Sequence, residues 1–249
     1  MLTEDEIERL RQAIVATIAS PVIGSIEDYT WEAIFHYVKD IPLSDPALGR
    51  SKLLYDAVNH ATATGWSLKS LQVKNLTTVN TFLFVIQRAD IIKKANQLGF
   101  PDLSEQSSPD KLGAAIIKHW NEKITSSQTA QGVINSYEGI LLKTIKGYEY
   151  TYCEFPLHPF DPNAFLWDWS VNRSTGKAGV GLQGSIADQT ELIWYKNQKQ
   201  LFRMRTIPSE AVYLSVERTR LTLDRYVQAV FSALQDQLSM HPPDSMTGE

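Results

Sequence analysis

The sequence predicts an α+β chain: an N-terminal all-helical bundle, then an antiparallel β-meander covered by a C-terminal helix. Three observations carry this. Apolar residues recur at helical spacing through the first half, alternate with period two beyond it, and return to helical spacing near the end. Hydrophobic residues at 43% and charged residues at 21% fit an ordinary globular chain and exclude disordered or collagen-like classes.

The first helix is signalled by Thr3 and Glu6 as a capping box, with Leu2 and Ile7 as its hydrophobic staple. Ile7, Leu10, Ile14, Val15 and Ile18 form its apolar stripe, and Pro21 and Gly24 end it. A second helix starts near Thr30, buries Trp31, Ile34, Phe35 and Val38, and stops at Pro42. A third is predicted from Asp45 as N-cap and Pro46 at the first position through to Gly65. A short helical turn over Ser67 to Leu71 follows. Next comes a helix carrying Val79, Phe82, Leu83, Ile86 and Ala89 before Gly99 and Pro101. Ser108 and Pro109 open another, with Leu112, Ala115, Ile116, His119 and Trp120 inward and His119 read as a core histidine. The polar "TSSQTAQG" stretch after it reads as a joint. It divides a helical domain at 1–130 from a β-rich domain at 131–240 and a loose tail at 241–249.

Past that joint, "YEGILLKTI", "YEYTYCEF", "FLWDWSV", "VGLQGSI", "ELIWYK", "QLFRMRTI" and "AVYLSVE" read as short strands. Alternation puts Tyr148, Tyr150 and Tyr152 on one face and Glu149, Thr151 and Cys153 on the other. In "FLWDWSV", Phe165, Trp167, Trp169 and Val171 point to the core, and Leu166, Asp168 and Ser170 point away. "ELIWYKNQKQLF" reads as a hairpin turning at Asn197 and Gln198. Leu223, Tyr226, Val227, Val230, Phe231, Leu234 and Leu238 make the final helix amphipathic, and the sheet is its expected cover.

A net charge of -4 argues against a dominant nucleic-acid footprint. The opening "MLTEDEIERL" lacks the basic and apolar segments of a signal peptide, the lone Cys153 cannot close an internal disulfide, and no apolar run suits a membrane span. A cytoplasmic protein without membrane contact is expected.

Ligand-type side chains are densest in "CEFPLHPFDP". Glu154, Asp161 and Asp168 are the candidate metal ligands and catalytic carboxylates, with His158 or Lys199 assisting. A divalent ion such as Mg held there would lower the pKa of its water and supply a nucleophile. The spacing matches no established metal motif, and proline-rich loops with an Asp and a His are also common connectors. Asp188, Glu191, Lys196 and Lys199 supply the residue types of a nuclease site without its spacing. Lys196, Lys199, Arg203 and Arg205 could meet phosphate, although a charge-protected hairpin edge predicts the same residues. The rings of Tyr148, Tyr150, Tyr152, Trp167, Trp169, Trp194 and Tyr195 are either packed core or the lining of a pocket under the final helix.

From "LTEDEIERLRQAI" to "LLYDAVNHATATGWSLKSLQ", roughly residues 1–75, the chain resembles the small effector-associated helical modules of bacterial conflict systems. These behave as death-fold-like recruitment domains. The resemblance lies in the helix count and the apolar-helix, glycine, short-helix cadence around Gly65, Leu68 and Leu71; Trp66 departs from it. It implies recruitment of protein partners and nothing catalytic. Two functional expectations follow. One is an intracellular interaction or adaptor protein with a protein partner, acting in a bacterial defence or regulatory system. The other is a metal-dependent nuclease or other hydrolase.

Overall fold

The computed structural model describes residues 1–43, 53–171, 178–217 and 219–240. Helix α1 (Glu4–Ala19) begins with the predicted cap: Glu6 N–H donates to the Thr3 hydroxyl at 3.2 Å, and Thr3 N–H donates to the Glu6 carboxylate at 2.8 Å. Both bonds satisfy amides that a helix end leaves unpaired. Helix α2 (Asp28–Lys39) turns Trp31, Ile34, Phe35 and Val38 inward and closes on Asp40 in the left-handed region.

From residue 57 the chain departs from the all-helical expectation. Strands β1 (Ala57–Asn59), β2 (Thr64–Val73) and β3 (Thr81–Arg88) occupy the predicted end of the third helix, the predicted helical turn and the core of the predicted fourth helix. The start of that third helix, at Asp45 and Pro46, lies outside the described residues. The physical reason is visible in "TFLFVIQR". Phe82, Phe84 and Ile86 are buried, and the same apolar run satisfies a period of two as readily as one of 3.6. Partners in the sheets settle the choice.

Helix α3 (Pro109–Gln131) forms as predicted, capped by Ser108 and closed by Gly132 at φ 65°. It extends through the stretch read as a joint. Its polar end is used in hydrogen bonds: Leu54 N–H donates to the Ser127 hydroxyl, and Tyr55 and Gln131 exchange bonds.

Seven strands follow: β4 (Asn135–Thr144), β5 (Glu149–Pro156), β6 (Leu166–Val171), β7 (Ala178–Ile186), β8 (Gln189–Tyr195), β9 (Gln200–Thr206) and β10 (Val212–Ser215). They join β1–β3 in two five-stranded sheets. The first runs β1-β2-β4-β5-β10 and the second β3-β9-β8-β7-β6. The meander expected of all seven of these strands is realised only in the run β6 to β9; β4, β5 and β10 pair in the first sheet instead. Within the first sheet β2 and β4 are parallel, a pairing that needs a long crossover, here supplied by β3 and α3. The ladders β2–β4 and β3–β9 therefore pair residues from either side of residue 130.

Two apolar clusters lie on opposite faces of the first sheet. One, containing Leu10, Trp31, Phe35, Leu141, Tyr150 and Tyr152, is closed by α1 and α2. The other, containing Ile140, Cys153, Trp120, Trp167 and Trp194, lies between the first sheet, α3 and the second sheet. A Cβ on Gly139 would meet the side chain of Leu68 on the adjacent strand β2 at 2.8 Å, and the Gly139 carbonyl accepts from Trp31 Nε1 of α2 at 3.2 Å.

The final helix, α4 (Leu223–Met240), is present, but it does not cover a sheet. Every side chain from Val227 to Gln237 is exposed. The first sheet already has its faces filled by the α1–α2 layer and by the second sheet. The aromatic residues do not share a pocket beneath α4 either. Tyr150 and Tyr152 belong to one cluster and Trp167 and Trp194 to the other.

Candidate functional site

The residues singled out in the sequence are dispersed over both sheets. Glu154, on β5, faces the α1–α2 layer and is buried. Its carboxylate accepts from the Tyr152 hydroxyl at 2.6 Å and from Trp66 Nε1 at 3.1 Å, and it pairs with the N-terminal ammonium of Met1. Burial pushes its pKa up, but bonds from that ammonium and Tyr152, with the nearby positive charges, outweigh burial and hold it below the ordinary value. Asp161 caps the short 3-10 turn at Pro162–Ala164, accepting from Asn163 N–H at 2.9 Å. His158 is exposed in the loop after β5.

Asp168 is exposed on β6 of the second sheet, where its carboxylate accepts from Trp169 N–H at 2.7 Å. The register follows the alternation through Trp167, with Phe165 and Trp167 buried and Leu166 and Asp168 facing out; Trp169 is only half-buried and Val171, expected inward, is exposed past a shift in the β6–β7 pairing. Among the described residues no three His, Cys, Asp or Glu side chains converge on a point that could hold a metal ion.

The basic group is equally divided. Lys199 pairs with Asp90 at 2.9 Å, and that bond is the chief cause holding the Asp90 pKa down. Lys196 lies over the Trp169 ring, 5.6 Å from its centroid, and 3.9 Å from Glu105. Arg203 and Arg205 point inward from β9. Arg203 donates to Glu138 at 3.0 Å and Arg205 donates to the same oxygen at 3.4 Å, while Glu191 stands 3.9 Å from Arg205. Phe160 and Phe155 stack on the two guanidinium groups.

Sequence reasoning missed this ion cluster. Its one signal was the pair of arginines spaced by two on a strand whose neighbours Leu201 and Phe202 are apolar. The proline-rich loop serves it structurally. Asn121 of α3 accepts from Phe160 N–H and donates to its carbonyl, both at 2.8 Å, which fixes Phe160 over Arg203. His119, read as a core histidine, is buried beside Lys94, and burial first and that lysine second lower its pKa.

An open groove of about 660 Å³ lies where β10, the start of β5 and the end of β9 meet. Thr77, Asn80, Thr206 and Ser215 line it beside Leu76 and Ile207.

The feature that stands apart is α4. Leu221 N–H donates to the Ala19 carbonyl at 3.0 Å, anchoring the approach to the end of α1, and the Thr222 hydroxyl accepts from Arg225 N–H at the helix start. Beyond that point Val227 is 54% exposed, Val230 42%, Phe231 60% and Leu234 51%, all on one side. With Leu223 they present on the order of 450 Å² of contiguous apolar surface, the size of the largest patch on a typical monomer, which is often functional. The opposite side carries Arg225, Gln228, Ser232 and Asp236, and Asp224 flanks the stripe beside Phe231. No helix among the described residues is long and apolar enough to cross a membrane. No protein-family model, curated protein or solved structure matches the chain.

Proposed function

We propose that this chain is a cytoplasmic interaction or adaptor protein that engages a protein partner through α4. The observation that carries this reading is the exposed stripe of Val227, Val230, Phe231 and Leu234 on a helix capped at its start and anchored to the body. A helix patterned for burial on one side gains most of its stability from what that side packs against. An amphipathic helix laid against a protein surface is a common mode of recognition, with anchors at the spacing seen here.

The test is photo-crosslinking of the full chain in extract of its host. A photoreactive residue at Phe231 should give a discrete protein adduct, and the same probe at Ser232 on the polar side should not. Leu234→Glu should remove the adduct without changing the melt. Equal labelling from both positions would contradict the reading.

A further inference from the structure

We infer that the partner of α4 is a second copy of this chain, with two α4 helices packing antiparallel along their apolar stripes. The inference rests on the interaction reading above and names its partner. Leu223, Val227, Val230 and Leu234 follow one another at alternating intervals of four and three residues, the spacing that keeps a seam facing a neighbouring helix. A two-fold axis between Val230 and Phe231 sets Val230 against Phe231 of the second copy and Val227 against Leu234. Each exposed side chain at the centre of the stripe then meets another, and the patch is self-complementary as a two-fold interface requires.

Area supports the same occupant. Two such stripes remove on the order of 900 Å² of apolar surface, and the flanking Tyr226 and Ala233 bring the total to the roughly 1,000 Å² that a specific interface needs. The body of each chain lies at the N-terminal end of its helix, where Leu221 is bonded to Ala19. Antiparallel pairing puts the two bodies at opposite ends of a rod about 27 Å long, from 18 residues at 1.5 Å each. Parallel pairing would crowd them together and set the two Asp224 carboxylates side by side. Antiparallel pairing separates those carboxylates and opposes the helix dipoles favourably. A lipid surface fits less well, because membrane-lying helices carry a basic polar face and this one has Arg225 against Asp224 and Asp236.

Sedimentation of the full chain across a hundredfold range of concentration tests the pairing. The mass should rise from 28.1 kDa toward twice that value, and Phe231→Glu should remain monomeric, with a melt matching that of the wild type at its lowest, monomeric concentration. Direction is read by disulfide trapping. An equal mixture of Val227→Cys and Leu234→Cys chains should form the mixed disulfide, while Val227→Cys alone should not, its two sulfurs being about 10 Å apart along the pair. Cys153 is buried and gives no background.

A chain monomeric throughout overturns the proposal, as does one that binds phosphatidylcholine–phosphatidylserine vesicles through α4 in place of dimerising. A trapped Val227→Cys homodimer overturns the antiparallel arrangement. If the chain is monomeric but Phe231 still crosslinks to another protein, the pairing fails and the interaction reading stands. With no crosslink, both fail.

Discussion

Glu138 on β4 accepts a hydrogen bond from Arg203 on β9 at 3.0 Å, a buried charge pair between the two sheets. Its attraction is largely offset by the cost of taking both charges out of water, so the pair specifies how the sheets face each other more than it adds net stability. Removing one partner is different, because the other charge is then stranded. Glu138→Ala should destabilise the protein by about 3–5 kcal/mol in urea titration, and the double variant Glu138→Leu with Arg203→Met should recover most of that loss.

Trp167 lies between two glycines. A Cβ on Gly113 of α3 would come within 2.3 Å of its Nε1, and one on Gly184 of β7 within 2.7 Å of its ring. Gly113→Ala, which is neutral or better for most helices, should here cost about 1–3 kcal/mol by overpacking. Trp167→Ala should cost about 3–5 kcal/mol by leaving a cavity. Thermal melts of the two variants check both values.

Asp168, one residue further on, should behave in the opposite way. It faces water and, among the described residues, accepts from its neighbour's amide, so Asp168→Ala should change stability by no more than about 0.5 kcal/mol. A large loss in the same melt would mean that the strand is set one residue off the register described.

Alkaline pH should expose the buried acids. Burial pushes the Tyr150 phenol from 10.0 to about 12, and burial with the charge of Glu210 pushes the Cys153 thiol from 9.0 to about 12. Both are acids raised in the folded state, so their contribution is complete below about pH 9 and is lost as pH rises toward 12. The melting temperature should fall over that window, and the fall should be shallower in Tyr150→Phe. Cys153 should resist alkylation at pH 8 until the chain unfolds.

What the sequence disclosed depended on whether a signal was local. The Thr3–Glu6 cap, the Ser108 and Pro109 start of α3 and the inward row of Phe165 and Trp167 were legible because neighbouring residues determine them. The strands at residues 57–88 were not, because Trp66, Leu68, Phe82, Phe84 and Ile86 suit either period and acquire strand geometry only through β4 and β9. For the same reason Glu154 looked available for chemistry. Its partners Trp66 and Met1 are far away in the chain, and no spacing rule connects them. The stripe on α4 was read correctly as a pattern and assigned to the wrong surface, because amphipathicity states that a face will be covered without stating by what.

Amide hydrogen exchange over residues 223–240, measured in the full chain from low to high micromolar concentration, distinguishes a paired α4 from a bare one. An 18-residue helix with no packing partner exchanges quickly, whereas one buried along its stripe does not. Protection of α4 should rise with concentration while that of α1 and the sheets stays constant, and Phe231→Glu should abolish the rise. Rapid exchange of α4 at every concentration, unchanged by addition of host extract, would contradict the proposed role of α4.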